Sequence, residues 1–210
     1  KEIKNYRISN FKQKVSYLKK FGVDFVINKT FNKKFSKIKS KNFIKNILVS
    51  KLQAKFIFVS NNFRFGNRRE GDVKQLIKYE KIFNYKIVKP KPLSKNKKII
   101  SSSLIRNLLM KGKIKKANEF LNREWSIEGM VRKGRQLGKK IGFPTANIDI
   151  KDYIIAKTGV YAVKVKKYGT NKFIRGIANL GYRPTFNQKK ILLEVHLFNF
   201  SGNLYNKLLS

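Results

Sequence analysis

The sequence contains no cysteine and a single histidine, His196. Disulfides, cysteine-based zinc sites and clustered histidine metal sites are therefore excluded. Acidic side chains are also scarce: 11 Asp and Glu stand against 50 Lys and Arg, a formal charge of +39. No apolar run approaches the roughly 18–20 residues of a membrane span, and no signal-peptide pattern is visible. We therefore expect a cytoplasmic protein with no membrane partner.

What is present is enough to build a core. Hydrophobic residues make up 41% of the chain and aromatic residues 13%, whereas a disordered basic tail would be far poorer in Ile, Phe and Leu. A length of 210 residues suits one large domain or two small ones. The positive charge attracts polyanions, so nucleic acid is the first partner to weigh. The lysines are nevertheless spread along the chain rather than gathered into one arm or stripe. Runs such as Lys95-Asn96-Lys97-Lys98 and Lys113-Ile114-Lys115-Lys116 read as solvated faces. A Lys-, Asn-, Ile- and Phe-rich compositional bias accounts for this pattern, and no dedicated nucleic-acid surface is expected.

The first half alternates helical and strand-like patterns. Residues 11–21 have helical spacing, and Val23–Ile27 reads as a short buried strand. Residues 40–52 read as a helix with Ser40 as N-cap, followed by a buried strand at 56–59. Gly71-Asp72 opens a third helix over about 72–83, and a strand follows at 85–88. Strand, helix, strand, helix, strand implies a parallel sheet with right-handed crossovers. Beyond Pro90 and Pro92, helices are expected at about 102–111 and 114–121. From Arg123 onward the pattern turns to β: 126–131, 160–166, 173–179 and 192–198 are strand-like pieces separated by turns. The boundary between an α/β half and a small all-β barrel is placed near residues 122–124.

Several segments carry chemistry. In Gly129–Asn147, glycines recur at Gly134, Gly138 and Gly142, interleaved with Arg135, Lys139 and Lys140. Glycine permits close backbone approach to a ligand, and successive amides cradle anions; an ordinary basic β-turn has the same composition. The spacing is not that of a Walker A loop. In Pro144-Thr145-Ala146-Asn147, an extended backbone projects Thr145 and Asn147 to one side. Their hydroxyl and carboxamide oxygens suit Mg²⁺ beside phosphates, although Thr-x-Asn pairs also brace turns. In Leu193–Leu197, alternation puts Glu194 and His196 on one face. Glu194 fits a base taking a proton from an attacking hydroxyl, or a solvated carboxylate balancing Lys189 and Lys190; His196 alone reads as structural. Ser102 and Ser103 sit at a helix start, where free N–H groups bind phosphate, with Arg106 one turn on as a further donor. Simple N-capping is the alternative. Asn61–Gly66 follows the strand at 56–59, where open α/β sheets place ligand loops.

Taken in order, these motifs resemble the prokaryotic bifunctional riboflavin kinase/FMN adenylyltransferases: SNNFRFG (60–66), Gly71-Asp72, ISSSLIR (100–106), GFPTAN (142–147), NLGYRPTF (179–186), LEVHLF (193–198) and NLYNK (203–207). The resemblance covers nearly the whole chain. It implies an α/β nucleotidyltransferase-like domain with a Rossmann-like parallel sheet over 1–122, and a riboflavin-kinase-like barrel over 123–210. The implied substrates are riboflavin, FMN and ATP, with Mg²⁺ as cofactor. It further implies that Thr145 and Asn147 hold Mg²⁺ and phosphates, that Gly134, Gly138, Lys139 and Gly142 cover the nucleotide, and that Glu194 is the base. Asn62, Ser102, Ser103 and Arg106 would contact nucleotide or phosphates in adenylylation. Rivals are a basic nucleic-acid-binding protein on a degenerate enzyme scaffold, and an enzyme with the kinase activity alone. The family's opening His-x-Gly-His motif is absent from this sequence, and Ser103 and Asn206 stand where Thr and Gly are usual. A chain starting at Lys1 is accordingly expected to be an internal piece, short of the family's first strand and of the barrel's final strand and helix.

Overall fold

The computed structural model describes residues 6–134, 144–167, 169, 170, 172–184 and 189–210, excepting the side chains of 183, 184, 189 and 190. In chain order, the helices are α1 (Phe11–Lys20), α2 (Lys33–Ser36), α3 (Ser40–Asn42), α4 (Val73–Lys78), α5 (Glu80–Phe83), α6 (Ser102–Met110) and α7 (Ile114–Leu121). A π-helical segment, Phe43–Lys51, continues α3. The strands are β1 (Phe56–Phe58), β2 (Arg64–Phe65), β3 (Gly71–Asp72), β4 (Lys86–Val88), β5 (Ser94–Lys95), β6 (Lys98–Ile99), β7 (Gly129–Arg132), β8 (Ala146–Ile148), β9 (Gly159–Val165), β10 (Ile174–Pro184), β11 (Lys189–Leu197) and β12 (Leu208–Leu209). Residues 25–99 form one compact unit; residues 1–24 together with 100–210 form the other. The compact units do not follow chain order, because α1, α6 and α7 share a unit with the β-rich half.

In the 25–99 unit, β1 and β4 pair in parallel, Phe56 with Lys86 through Phe58 with Val88. Ile44, Phe65, Leu76 and Tyr85 form the buried centre. The helix expected over about 72–83 is divided into α4 and α5, and Asp72 caps α4, its Oδ1 accepting the Gln75 N–H at 2.9 Å. The helix expected from Ser40 begins there, but its cap comes from a distance: Glu70 Oε1 accepts the Ser40 N–H at 2.7 Å. That approach requires glycine at 66, whose φ is 76° and where any Cβ would lie 2.8 Å from the Ser40 backbone.

Further expectations fail in this half. Val23–Ile27 is not a strand; Phe25 and Ile27 are 88% and 71% exposed. An apolar run becomes a strand only by pairing its backbone, and among the described residues no strand pairs with this one. β1 forms but is not buried, with Phe56 and Phe58 largely exposed, since β4 is its only neighbour among the described residues.

In the other unit, six antiparallel strands lie in the order β12-β7-β8-β11-β10-β9. The sheet curls until its two edges meet: Lys166 N–H donates to the Ser210 carbonyl at 2.9 Å and Ser210 N–H returns the bond at 3.0 Å. Joining the edges satisfies backbone groups that an open sheet leaves unpaired. The interior is filled by Val131, Ile148, Val165, Leu180, Leu193, Val195 and Leu209 among others. Helices α6 and α7 match their expected spans and pack Ile105, Leu109, Ala117 and Phe120 with Ile154.

Residues 7–20 join this unit through polar as well as apolar contacts. Asn10 and Gln13 form a reciprocal capping box that starts α1, with bonds of 2.8 and 2.9 Å. The Tyr153 hydroxyl donates to Gln13 Oε1 at 2.9 Å and accepts from Asn10 Nδ2 at 2.8 Å and from the Glu128 N–H at 2.9 Å. Burial pushes the Tyr153 hydroxyl up to about 12.

Candidate active site

The barrel brings two of the expected groups together. β8 lies between β7 and β11, and in the β8–β11 ladder Asn147 is directly opposite Glu194. Directly opposed residues share a sheet face, with Cβ atoms about 4.5–5.5 Å apart. The row continues on both sides: Arg132 is opposite Asn147 on β7, and Asn179 is opposite Glu194 on β10. Four strands thus present cation, carboxamide, carboxylate and carboxamide in one line across the sheet.

This face is the one turned away from the apolar interior. Leu193, Val195 and Leu197 are buried, while Glu194 and His196 between them are half-exposed, as the alternation of β11 implies. Asn147 departs from that pattern. It is only 9% exposed. Gly134 lies directly over it; a Cβ at 134 would collide with the Asn147 side chain. The glycine therefore has a packing reason at this position.

Thr145 is half-buried just before β8, on the same side as Asn147 by strand alternation. The peptide preceding it is fixed by His196, whose Nδ1 lies 3.0 Å from the Pro144 carbonyl oxygen. Gly138, Lys139 and Gly142 lie outside the described residues. A separate cleft, lined by Ser16, Glu128, Lys166, Thr170 and Leu208, contains none of the expected site residues.

The residues expected to serve adenylylation fall in the two compact units. In 25–99, Asn62 is exposed on the turn after β1, accepting a 2.9 Å bond from Ser60 Oγ on its Oδ1. In the other unit Ser101 is the cap of α6, its Oγ accepting the Leu104 N–H at 3.2 Å. Capping by Ser101 leaves Ser102 and Ser103 exposed in the first turn. Arg106, one turn on, donates through Nε to the Tyr6 carbonyl at 2.7 Å.

Sequence reading did not single out Arg132, and met Asn179 only as the first residue of a motif. Alternation gives each residue's face but not its cross-strand partner, so their alignment with Asn147 and Glu194 had no local signal. Among the described residues there is no group of three or more His, Asp or Glu able to hold a metal ion by itself. Nor is any helix among them long and apolar enough to cross a membrane.

Known proteins match the chain in both of its halves. The FAD synthetase family matches residues 1–104 and the riboflavin kinase family residues 121–210. A bifunctional riboflavin kinase/FMN adenylyltransferase of Buchnera aphidicola from Schizaphis graminum is 41% identical over 96% of this chain and 65% of its own length. The protein of the same description from Escherichia coli K12 is 36% identical over 96% of this chain and 64% of its own. A crystal structure described as a macrolide-efflux protein from Streptococcus pneumoniae superposes with a TM-score of 0.81 at 27% identity, covering 96% of this chain and 64% of that one. The chain thus spans about 65% of the length of the first of these curated relatives. With both domain families matched in order, the chain belongs to the bifunctional riboflavin kinase/FMN adenylyltransferase family.

Proposed function

We propose that this chain carries the riboflavin kinase reaction on its barrel, within residues 123–210, and contributes residues 1–122 to the adenylylation of FMN. The observation that carries the kinase assignment is the direct opposition of Asn147 and Glu194 on one face, with Gly134 packed over the carboxamide. A carboxylate beside an amide oxygen and a hydroxyl suits transfer of a phosphoryl group to an alcohol.

The donor set fits magnesium. Thr145 and Asn147 offer neutral, hard oxygens, and Asn147 is only 9% exposed. Magnesium prefers such oxygens together with waters and substrate phosphates over an all-protein cage. When bound, the ion supplies neutralisation of charge on the phosphate oxygens. The chain's own groups do the rest. Asn147 and Thr145 hold the phosphate end of ATP, with Gly134 letting the backbone approach. Glu194 accepts the proton of the ribityl 5′-hydroxyl as its oxygen bonds to the γ-phosphorus and the bond from that phosphorus to the β-phosphate oxygen breaks, releasing ADP. Catalysis then rests on positioning and charge stabilisation rather than on a covalent intermediate.

For adenylylation, the FMN phosphate attacks the α-phosphorus of ATP and pyrophosphate leaves. The exposed N-terminal turn of α6, with Ser102, Ser103 and Arg106, suits a phosphate by its free N–H groups and positive dipole end. Asn62 is a polar side chain on the loop after β1, where ligands of parallel sheets bind.

The test is chromatographic. The chain is incubated with riboflavin, ATP and Mg²⁺, and FMN and FAD are quantified for it and for Glu194→Gln. FMN formation by the parent and its loss in the variant are expected. Equal FMN formation by both would remove Glu194 and with it the proposed site.

A further inference from the structure

We infer that His196 is a positioning residue for the phosphate end of the kinase site, an inference that rests on the kinase reading above. The β8–β11 ladder runs through Leu193–Ile148, Glu194–Asn147 and Val195–Ala146 and ends there. Thr145 lies one residue past the last paired position, so no ladder bond fixes it. At this point a side chain takes over from the backbone, because His196 Nδ1 is 3.0 Å from the Pro144 carbonyl oxygen. A carbonyl only accepts, so Nδ1 carries the proton. Proline has no N–H to pair, which leaves this carbonyl as the one ladder-type group residue 144 can offer.

The imidazole is itself constrained. Its ring meets Phe198 edge-on, with centroids 5.8 Å apart and planes at 72°. Thr145 is consequently bracketed, with Pro144 held by the imidazole and Ala146 by the β11 backbone. Both tethers come from the strand that bears Glu194. The bracket fixes the backbone from which the Thr145 hydroxyl is presented beside Asn147, and so links the two oxygen donors to the base as one rigid piece. Groups that orient a ligand to a metal typically matter about 10- to 100-fold in affinity or activity.

Calorimetric titration of ADP, with and without Mg²⁺, into the parent chain, His196→Phe and His196→Asn tests this role. Phenylalanine keeps a ring beside Phe198 but has no donor; asparagine places an amide N–H close to the position of Nδ1. We expect His196→Phe to lose about tenfold in magnesium-dependent ADP affinity, with ADP affinity in the absence of Mg²⁺ unchanged. His196→Asn should recover most of the loss. Thermal melting establishes that each variant is folded, and His196→Leu replaces the phenylalanine variant if that one is not. A donorless variant that binds ADP and Mg²⁺ as the parent does overturns the role, as does an asparagine variant no better than the donorless one. If the parent itself shows no magnesium-dependent ADP affinity, the kinase reading falls first and the role of His196 falls with it.

Discussion

Asn147 and Glu194 face each other across β8 and β11, 47 residues apart in sequence (194 − 147) and directly paired in the sheet. Each sits on a strand whose alternate side chains fill the barrel interior, so neither can turn inward without exposing a core residue. Their shared face is therefore set by the packing of Ala146, Ile148, Leu193 and Val195.

Glu194→Gln removes the proton acceptor while keeping size and most of the packing. General-base catalysis is worth about 10²- to 10⁴-fold, so FMN formation should fall at least about a hundredfold. ADP binding with Mg²⁺, measured by calorimetry, should change little. Unchanged turnover would exclude Glu194 from the mechanism.

Gly134→Ala places a methyl group where the Asn147 carboxamide lies. Either the backbone at 134 or Asn147 must move, and each displaces a group assigned to the phosphates. The KM for ATP should rise while that for riboflavin stays near the parent's. Steady-state kinetics with each substrate varied in turn separates the two, and a rise in the riboflavin KM alone would refute the assignment.

Arg106→Ala is expected to reduce FAD formation from FMN and to leave FMN formation from riboflavin intact. Both products can be followed in one chromatographic run. An equal loss of both would mean that the division into two sites is wrong.

Tyr153→Phe leaves Asn10 Nδ2, Gln13 Oε1 and the Glu128 N–H without their common partner. A buried polar group stripped of its bond costs about 1–3 kcal/mol, so thermal melting should fall measurably. The pH dependence has a definite sign. Burial raises the folded-state value of Tyr153 to about 12 from an ordinary 10.0, so the folded state keeps its proton more tightly than the unfolded chain does. The resulting stabilisation is complete below pH 10.0 and is lost as pH rises towards about 12. Tyr85 in the other unit behaves alike, raised to about 12 chiefly by burial. Melting temperatures followed across that alkaline window should fall less steeply for Tyr153→Phe than for the parent.

The ion pairs Arg7 with Asp152 and Arg64 with Asp72, at 3.7 Å, and Lys164 with Glu124, at 3.2 Å, are too solvated to anchor the fold. The large positive charge accordingly has little part in the stability of either unit. Their stability rests on the apolar interiors and on the buried polar contacts of Tyr153, Gln13 and Glu70.

The amino-acid sequence alone determined α1, α6 and α7, the start of a helix at Gly71-Asp72, and the faces of β11, because each depends on neighbours within a turn of helix or two residues of strand. Tertiary structure decided what local pattern leaves open. It set Asn147 opposite Glu194, gave His196 a carbonyl 52 residues away, and brought α1 onto Tyr153. It also left Val23–Ile27 without a strand partner among the described residues, despite an apolar run that reads as a strand. Period and capping are properties of a short stretch of chain. Register and pairing are chosen by whichever distant surface buries the most apolar area while satisfying every backbone group.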